Sequence, residues 1–209
     1  MPRPSGARNH DFEKKRAALL DTLTEFALNS GVQRPSLRQF AMAAKQSEPT
    51  LRHYFVDRQG LVIEIIRSIA ARSEQIWALV RAPSKDPATA VSEYIKMTEI
   101  SFREGMFARS HAFGLVEGLA DRVVGRVYLE SMLEPALNAF REKLAATPGG
   151  PSDKPHLLAA TLVATGPLFV LALHQNLLEG RELFPMETSE IFGILDRWIS
   201  ASLTPSKDL

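Results

Sequence analysis

Apolar residues recur at helical spacing along almost the whole chain, and no segment alternates with the period of two that marks a strand. Phe12, Leu19, Leu20, Leu23, Phe26 and Ala27 predict a first helix over residues 11–29, with Gly31 as its C-terminal stop. Leu37, Phe40, Ala41 and Ala44 predict a second over 37–44. Ser36 caps it, and Gln39 three residues on completes a capping box. Lys45-Gln46-Ser47 then reads as a tight turn. Ser47 caps a third helix that carries Pro49 in its first turn and turns Leu51 and Phe55 inward. From Asp57 a fourth helix runs to Arg81, with Leu61, Ile65, Ile69, Ile76, Leu79 and Val80 inward, and Pro83 ends it.

The remainder is helical in pattern as well. Helices are expected over 87–104, 106–118 and 120–146, the last kinked at Pro135. A Pro- and Gly-rich loop follows at 147–155, then helices over 156–180 and 186–203. The fold class is therefore all-α, with about nine helices. Its expected domains are a disordered tail (1–9), a helix-turn-helix head (10–57) and a helical body (58–205).

Between Leu157 and Leu178 no charged residue occurs. That stretch is long enough to cross a membrane. Gly166-Pro167, Thr161 and Thr165 interrupt it, His174-Gln175-Asn176 would lie in lipid, and no basic flank marks an inner face. Burial between two copies of the chain is the better account. Its companion is the helix over 186–203, with a stripe of Ile191, Ile194, Leu195, Trp198 and Ile199. The partners expected are thus a second copy and no membrane.

Composition narrows the chemistry. The 209 residues include no cysteine, which excludes disulfides and thiolate chemistry. The five histidines form no metal-binding spacing, and neither a phosphate-binding nor a nucleophile motif occurs, so no metal, cofactor or catalytic residue is expected. The acids of the body fall at exposed helical spacing. No apolar leader opens the chain, so a cytoplasmic location is expected. Net charge is only +1. Residues 1–60, however, hold ten lysines and arginines against six acids, a basic head on a slightly acidic body.

Two short helices joined by a tight turn, the second with an outward polar and basic face, describe a helix-turn-helix that reads DNA. The run from Thr50 to Leu61, TLRHYFVDRQGL, sharpens this. With the three-helix head and long helical body, it resembles the tetracycline-repressor (TetR) family of bacterial transcription regulators, whose pattern here is T-L-Y-x-H-F-x-x-K-x-x-L. Thr50, Leu51, Phe55 and Leu61 match, and Arg58 stands for the lysine. Lys45-Gln46 replaces the family's Gly-Val turn, Arg52 its aromatic and Tyr54 its histidine. The resemblance covers residues 10–61 and does not extend beyond them.

The resemblance implies that Ser36, Arg52, Tyr54 and Arg58 lie on phosphates, with Arg38 and Lys45 as basic neighbours. It implies that Ser47, Glu48, Thr50 and His53 meet base edges in a double-stranded, palindromic operator. For each residue the plain alternative is a capping or solvated side chain. In the body, Trp77, Phe102, Met106, Phe107, His111, Phe113, Phe169 and His174 are candidates to line a pocket for an unknown small-molecule effector, and ordinary core packing is the alternative for each. The function expected is a homodimeric repressor released by a small apolar ligand. An activator of the same fold, or a helical-bundle enzyme acting on a small apolar substrate, are the rival readings.

Overall fold

A computed structural model describes the backbone of residues 5–30 and 33–203, and side chains from residue 10 onward. Among the described residues there are eleven α-helices, two π-helical turns and no strand. The chain divides into two compact units. The first comprises residues up to Arg72 together with Ala112–Met132, and the second comprises Ser73–His111 together with residues from Leu133. The division falls elsewhere than at residues 57/58. Helix α4 is continuous across the expected boundary, and its first half buries Leu61, Val62, Ile65, Ile66 and Ile69 in the first unit.

In the first unit, α1 (Ser5–Asn29) packs on α2 (Leu37–Ala43), and α2 on α3 (Glu48–Phe55). Helix α1 begins earlier than residue 11, so residues 5–9 of the expected tail are helical; residues 1–4 and the expected stop at Gly31 lie outside the described residues. Leu23, Ala27, Phe40, Leu51 and Phe55 are buried. Phe26 meets Phe40 edge-on at 5.6 Å. Helix α4 (Arg58–Arg81) follows, and the end of α6 (Met106–Ala120) and α7 (Arg122–Tyr128) complete the unit. Gly118 and Gly125 bring the α6 and α7 backbones together: a Cβ on Gly125 would lie 2.6 Å from the Gly118 carbonyl oxygen.

In the second unit, α5 (Pro87–Arg103) packs on α8 (Glu134–Ala146), α9 (Lys154–Ala172) and α11 (Thr188–Ser202). The side chain of Asp86 caps α5 by accepting from the Thr89 N–H at 2.7 Å. Tyr94 stacks on Phe140 at 4.2 Å, and Phe102 meets Phe192 at 5.4 Å. One of the nine expected helices is divided in two, and a short helix is added in an expected link. Asp121 caps α7 inside the segment 120–146, and a π-turn (Leu129–Leu133) separates α7 from α8, which takes Pro135 in its first turn. The segment 156–180 ends in a second π-turn (Leu173–Leu177), after which Glu179, at φ 59°, starts the short α10 (Gly180–Leu183). A helix interrupted by proline or by a π-turn re-aims its remaining side chains.

Helix α9 with its π-turn is the one described segment long and apolar enough to cross a membrane by length and composition. Only 33% of its apolar window is buried, and Leu162, Val163 and Val170 are more than half exposed.

Candidate nucleic-acid interface

Local sequence chemistry builds α2, the turn and α3. The Ser36 Oγ accepts from the Gln39 N–H at 3.2 Å, and the Gln39 Oε1 accepts from the Ser36 N–H at 2.8 Å, a full capping box. The Ser47 Oγ likewise accepts from the Thr50 N–H at 3.2 Å. The two hydroxyls of Ser47 and Thr50 lie 2.8 Å apart and bond each other, so both are engaged in capping. Between the helices Lys45 takes φ 52°. The left-handed geometry that a glycine would supply is therefore adopted by a lysine, at a cost of about 1 kcal/mol.

Six residues share the exterior of this element with the caps. Arg38, Lys45, Arg52 and His53 are exposed, and Glu48 and Tyr54 are half-buried. The cationic side chains of Arg38, Lys45 and Arg52 have no acidic partner among the described residues. His53 and Tyr54 are held from behind by Phe12 of α1, at ring separations of 5.4 and 4.9 Å. Phe12, which belongs to the expected apolar stripe of the first helix, thus orients two residues of α3. Leu51 and Phe55 are buried on the opposite face of α3.

Arg58, expected on a phosphate, is engaged in an ion pair within the unit. Its Nε donates to the Pro35 carbonyl at 2.8 Å, its Nη1 to the Glu117 carboxylate at 3.1 Å, and its Nη2 to the other oxygen of the same carboxylate. Arg34 adds a contact to Glu117 at 3.3 Å. Glu117 is fully buried, and a carboxylate out of water holds its cations tightly because nothing else satisfies it. It corrects the expectation that the body's acids are exposed. The signal available in the sequence is a lone acid on an otherwise apolar stretch of helix, Phe113 to Leu119.

The junction after α3 is strained. Val56 takes φ 70° and ψ −62°, and the Asp57 N–H donates to the Phe55 carbonyl at 2.8 Å, a γ-turn. Asp57 then accepts from the Gly60 N–H at 2.8 Å, which caps α4. Gly60 is needed there, because a Cβ would lie 2.3 Å from the Phe55 carbonyl oxygen.

The eight candidate effector residues do not form one lining. Phe113 belongs to the first unit and is fully buried, and the other seven belong to the second. Phe107, His111 and Phe169 come together, with ring separations of 4.9, 5.6 and 6.1 Å. Burial pushes the His111 imidazole down to about 4. Phe102 instead packs on Phe192 and lies 5.9 Å beneath the Arg181 guanidinium. His174 meets Phe184 and Gln175, Trp77 is buried, and Met106 is exposed at the start of α6. A groove of about 470 Å³ in the second unit is lined by none of the eight. Among the described residues no group of three or more histidines and acids is placed to hold a metal ion.

No protein-family model and no curated protein sequence matches the chain. Solved structures do. A transcriptional regulator from Pseudomonas aeruginosa PAO1 superposes with a TM-score of 0.62 at 17% identity, over 91% of each chain. A TetR-family transcriptional regulator from Mesorhizobium loti MAFF303099 superposes with a TM-score of 0.53 at 15% identity, over 92% of this chain and 94% of the other. The chain has the all-α fold of these regulators.

Proposed function

We propose that the protein is a homodimeric DNA-binding transcriptional regulator, a repressor released by a small, largely apolar effector. One observation carries the reading: a helix-turn-helix with both helices capped by serine and with Arg38, Lys45, Arg52 and His53 exposed on its outer side. The fold shared with regulators supports it, and so does the excess of positive charge in the first sixty residues. Arg38, Lys45 and Arg52 hold the head on phosphates, and Glu48 and His53 approach base edges at the N-terminal part of α3. Arg58 acts from inside, fixing the loop at Pro35 and the start of α4 to Glu117.

Two heads reading successive major grooves need a dimer with half-sites roughly 34–36 Å apart. The exposed Leu162, Val163 and Val170 of α9 and Trp198 of α11, which is 70% exposed, support a partner copy on these two helices. Helix α4 contributes residues to both units. Effector bound near its C-terminal end displaces the heads along one continuous helix, and releases DNA only as far as it prefers the displaced state. Fluorescence anisotropy of the DNA upstream of the protein's own gene, titrated with intact protein at several salt concentrations, tests the reading. Saturable, salt-weakened binding is expected, and its absence refutes DNA recognition.

A further inference from the structure

The groove of the second unit is built from the C-terminal end of α4, Ala82 and Pro83 after it, the middle of α5 from Glu93 to Ile100 and one residue of α8. Its walls are hydrocarbon, with Leu79 and Val80 on one side and Met97 and Ile100 on the other. Leu79 is 66% exposed and Ile100 46%, so the lips present apolar surface that water penalises and a bound hydrocarbon chain would cover. At about 470 Å³ the space is that of a small-molecule site.

The polar end has a definite sign. Lys143 enters from α8 almost completely buried, and its ammonium donates to the Ala82 carbonyl at 2.7 Å and to the Glu93 carboxylate at 2.8 Å. The Ser84 hydroxyl donates to the same oxygen of Glu93. The Lys143 hydrogen bond first, and then that of Ser84, hold the Glu93 carboxyl below its ordinary range. Glu93 is thus an ionised acid whose Oε2 already accepts from two donors. An ammonium has three N–H groups, so Lys143 keeps one beyond its two acceptors. At the lip, Lys96 is exposed and has no acidic partner among the described residues.

We propose that this groove binds an amphipathic carboxylate, its hydrocarbon chain along Leu79, Val80, Met97 and Ile100 and its head group on Lys96 and the remaining N–H of Lys143. A cationic amphiphile fits the walls but meets Lys96 at the lip, and the carboxylate there, Glu93, already pairs with the Lys143 ammonium. A neutral alcohol of equal length fits the walls and gains nothing from the charge. The inference names the chemistry of the effector in the proposed function, and rests on that reading only for what binding does at DNA.

The test is calorimetric titration of the full chain, without DNA, with decanoate, decanol and decyltrimethylammonium below their micelle thresholds. Decanoate is expected to saturate one site per chain, with decanol about tenfold weaker and the cation weaker still. Lys96→Gln is expected to remove most of the advantage of decanoate over decanol while leaving decanol unchanged, and Leu79→Glu to weaken both. Lys96 is exposed, so its variant tests charge without threatening the fold. No saturable decanoate binding, equal binding of the cation, or an unaffected Lys96→Gln variant overturns the proposal and leaves the DNA reading intact. Decanoate that binds as expected while DNA affinity stays unchanged upholds the site and removes its role as effector.

Discussion

Arg58, at the start of α4, closes a bidentate ion pair on the fully buried carboxylate of Glu117, fifty-nine positions away on α6. Through its Nε the same guanidinium holds the carbonyl of Pro35, one residue before the cap of α2. One side chain therefore ties three separate stretches of the first unit together. Taking one partner from a buried pair costs more than the pair itself contributes, because the other charge is left uncompensated. Glu117→Gln should lower the stability of the protein by about 3 kcal/mol. Denaturant unfolding measures this, and a loss below the experimental error would show that water reaches the carboxylate.

The same geometry separates Arg58 from Arg52. Each phosphate neutralised by the protein steepens the logarithmic fall of affinity with salt by about 0.9. Arg52→Ala, which removes an exposed cation with no acidic partner among the described residues, should flatten that slope by about this amount. Arg58→Ala should weaken binding to all sequences and leave the slope unchanged, because its charge is already neutralised inside the unit. A slope reduced equally in both variants would return Arg58 to the phosphate backbone.

Val56 and Gly60 predict opposite stability changes within one turn. Val56 is 78% exposed, so its side chain contributes little packing, yet it sits at φ 70°, where a β-branched residue is strained. Val56→Gly should stabilise the protein by about 1 kcal/mol even after the entropy cost of glycine in the unfolded chain. Gly60→Ala should destabilise it, since the new methyl would overlap the Phe55 carbonyl. Thermal unfolding of the two variants checks both signs, and a stabilising Gly60→Ala would contradict the γ-turn.

His111 makes stability depend on acid. Burial lowers its folded pKa to about 4, whereas the unfolded chain takes up the proton at its ordinary value near 6.5. Between those two values the unfolded state binds more protons, so stability is full above about pH 6.5 and is lost as pH falls toward 4. His111→Phe should lose less stability than the parent across that window, by up to about 3 kcal/mol. Parallel curves for parent and variant would show that the imidazole is solvated.

Local signals in the sequence were enough for the elements around the turn. The caps at Ser36, Ser47 and Asp57 act over three residues, and each forms where the sequence placed it; Asp86 caps α5 in the same way through Thr89. Asp121 carries the same kind of signal inside the expected helix over 120–146, and its carboxylate accepts from the Val123 and Val124 N–H groups. What could not be read was the pairing of distant side chains. Nothing near Arg58 points to Glu117, and nothing near Lys143 points to Ala82 and Glu93. Residue type alone marks the candidate effector residues of the body in the sequence. Trp77, Phe102, His111 and Phe113 are buried, and other residues line the groove.

The proposed dimer rests on α9 and α11. Val170, 64% exposed on α9, should tolerate a glutamate in a folded monomer but not at an apolar interface. Sedimentation at micromolar concentration should find the parent dimeric and Val170→Glu monomeric, with helicity unchanged. A parent that sediments as a monomer would remove the dimer.

The capped helix pair of the first unit is proposed to read DNA. Anisotropy titration of labelled upstream DNA, beside a scrambled duplex of equal length and at stepped salt, tests it most directly. The upstream sequence should bind at least about a thousandfold tighter than the scrambled one, with both affinities falling as salt rises. Equal affinity for the two duplexes, or none for either at low salt, would contradict it.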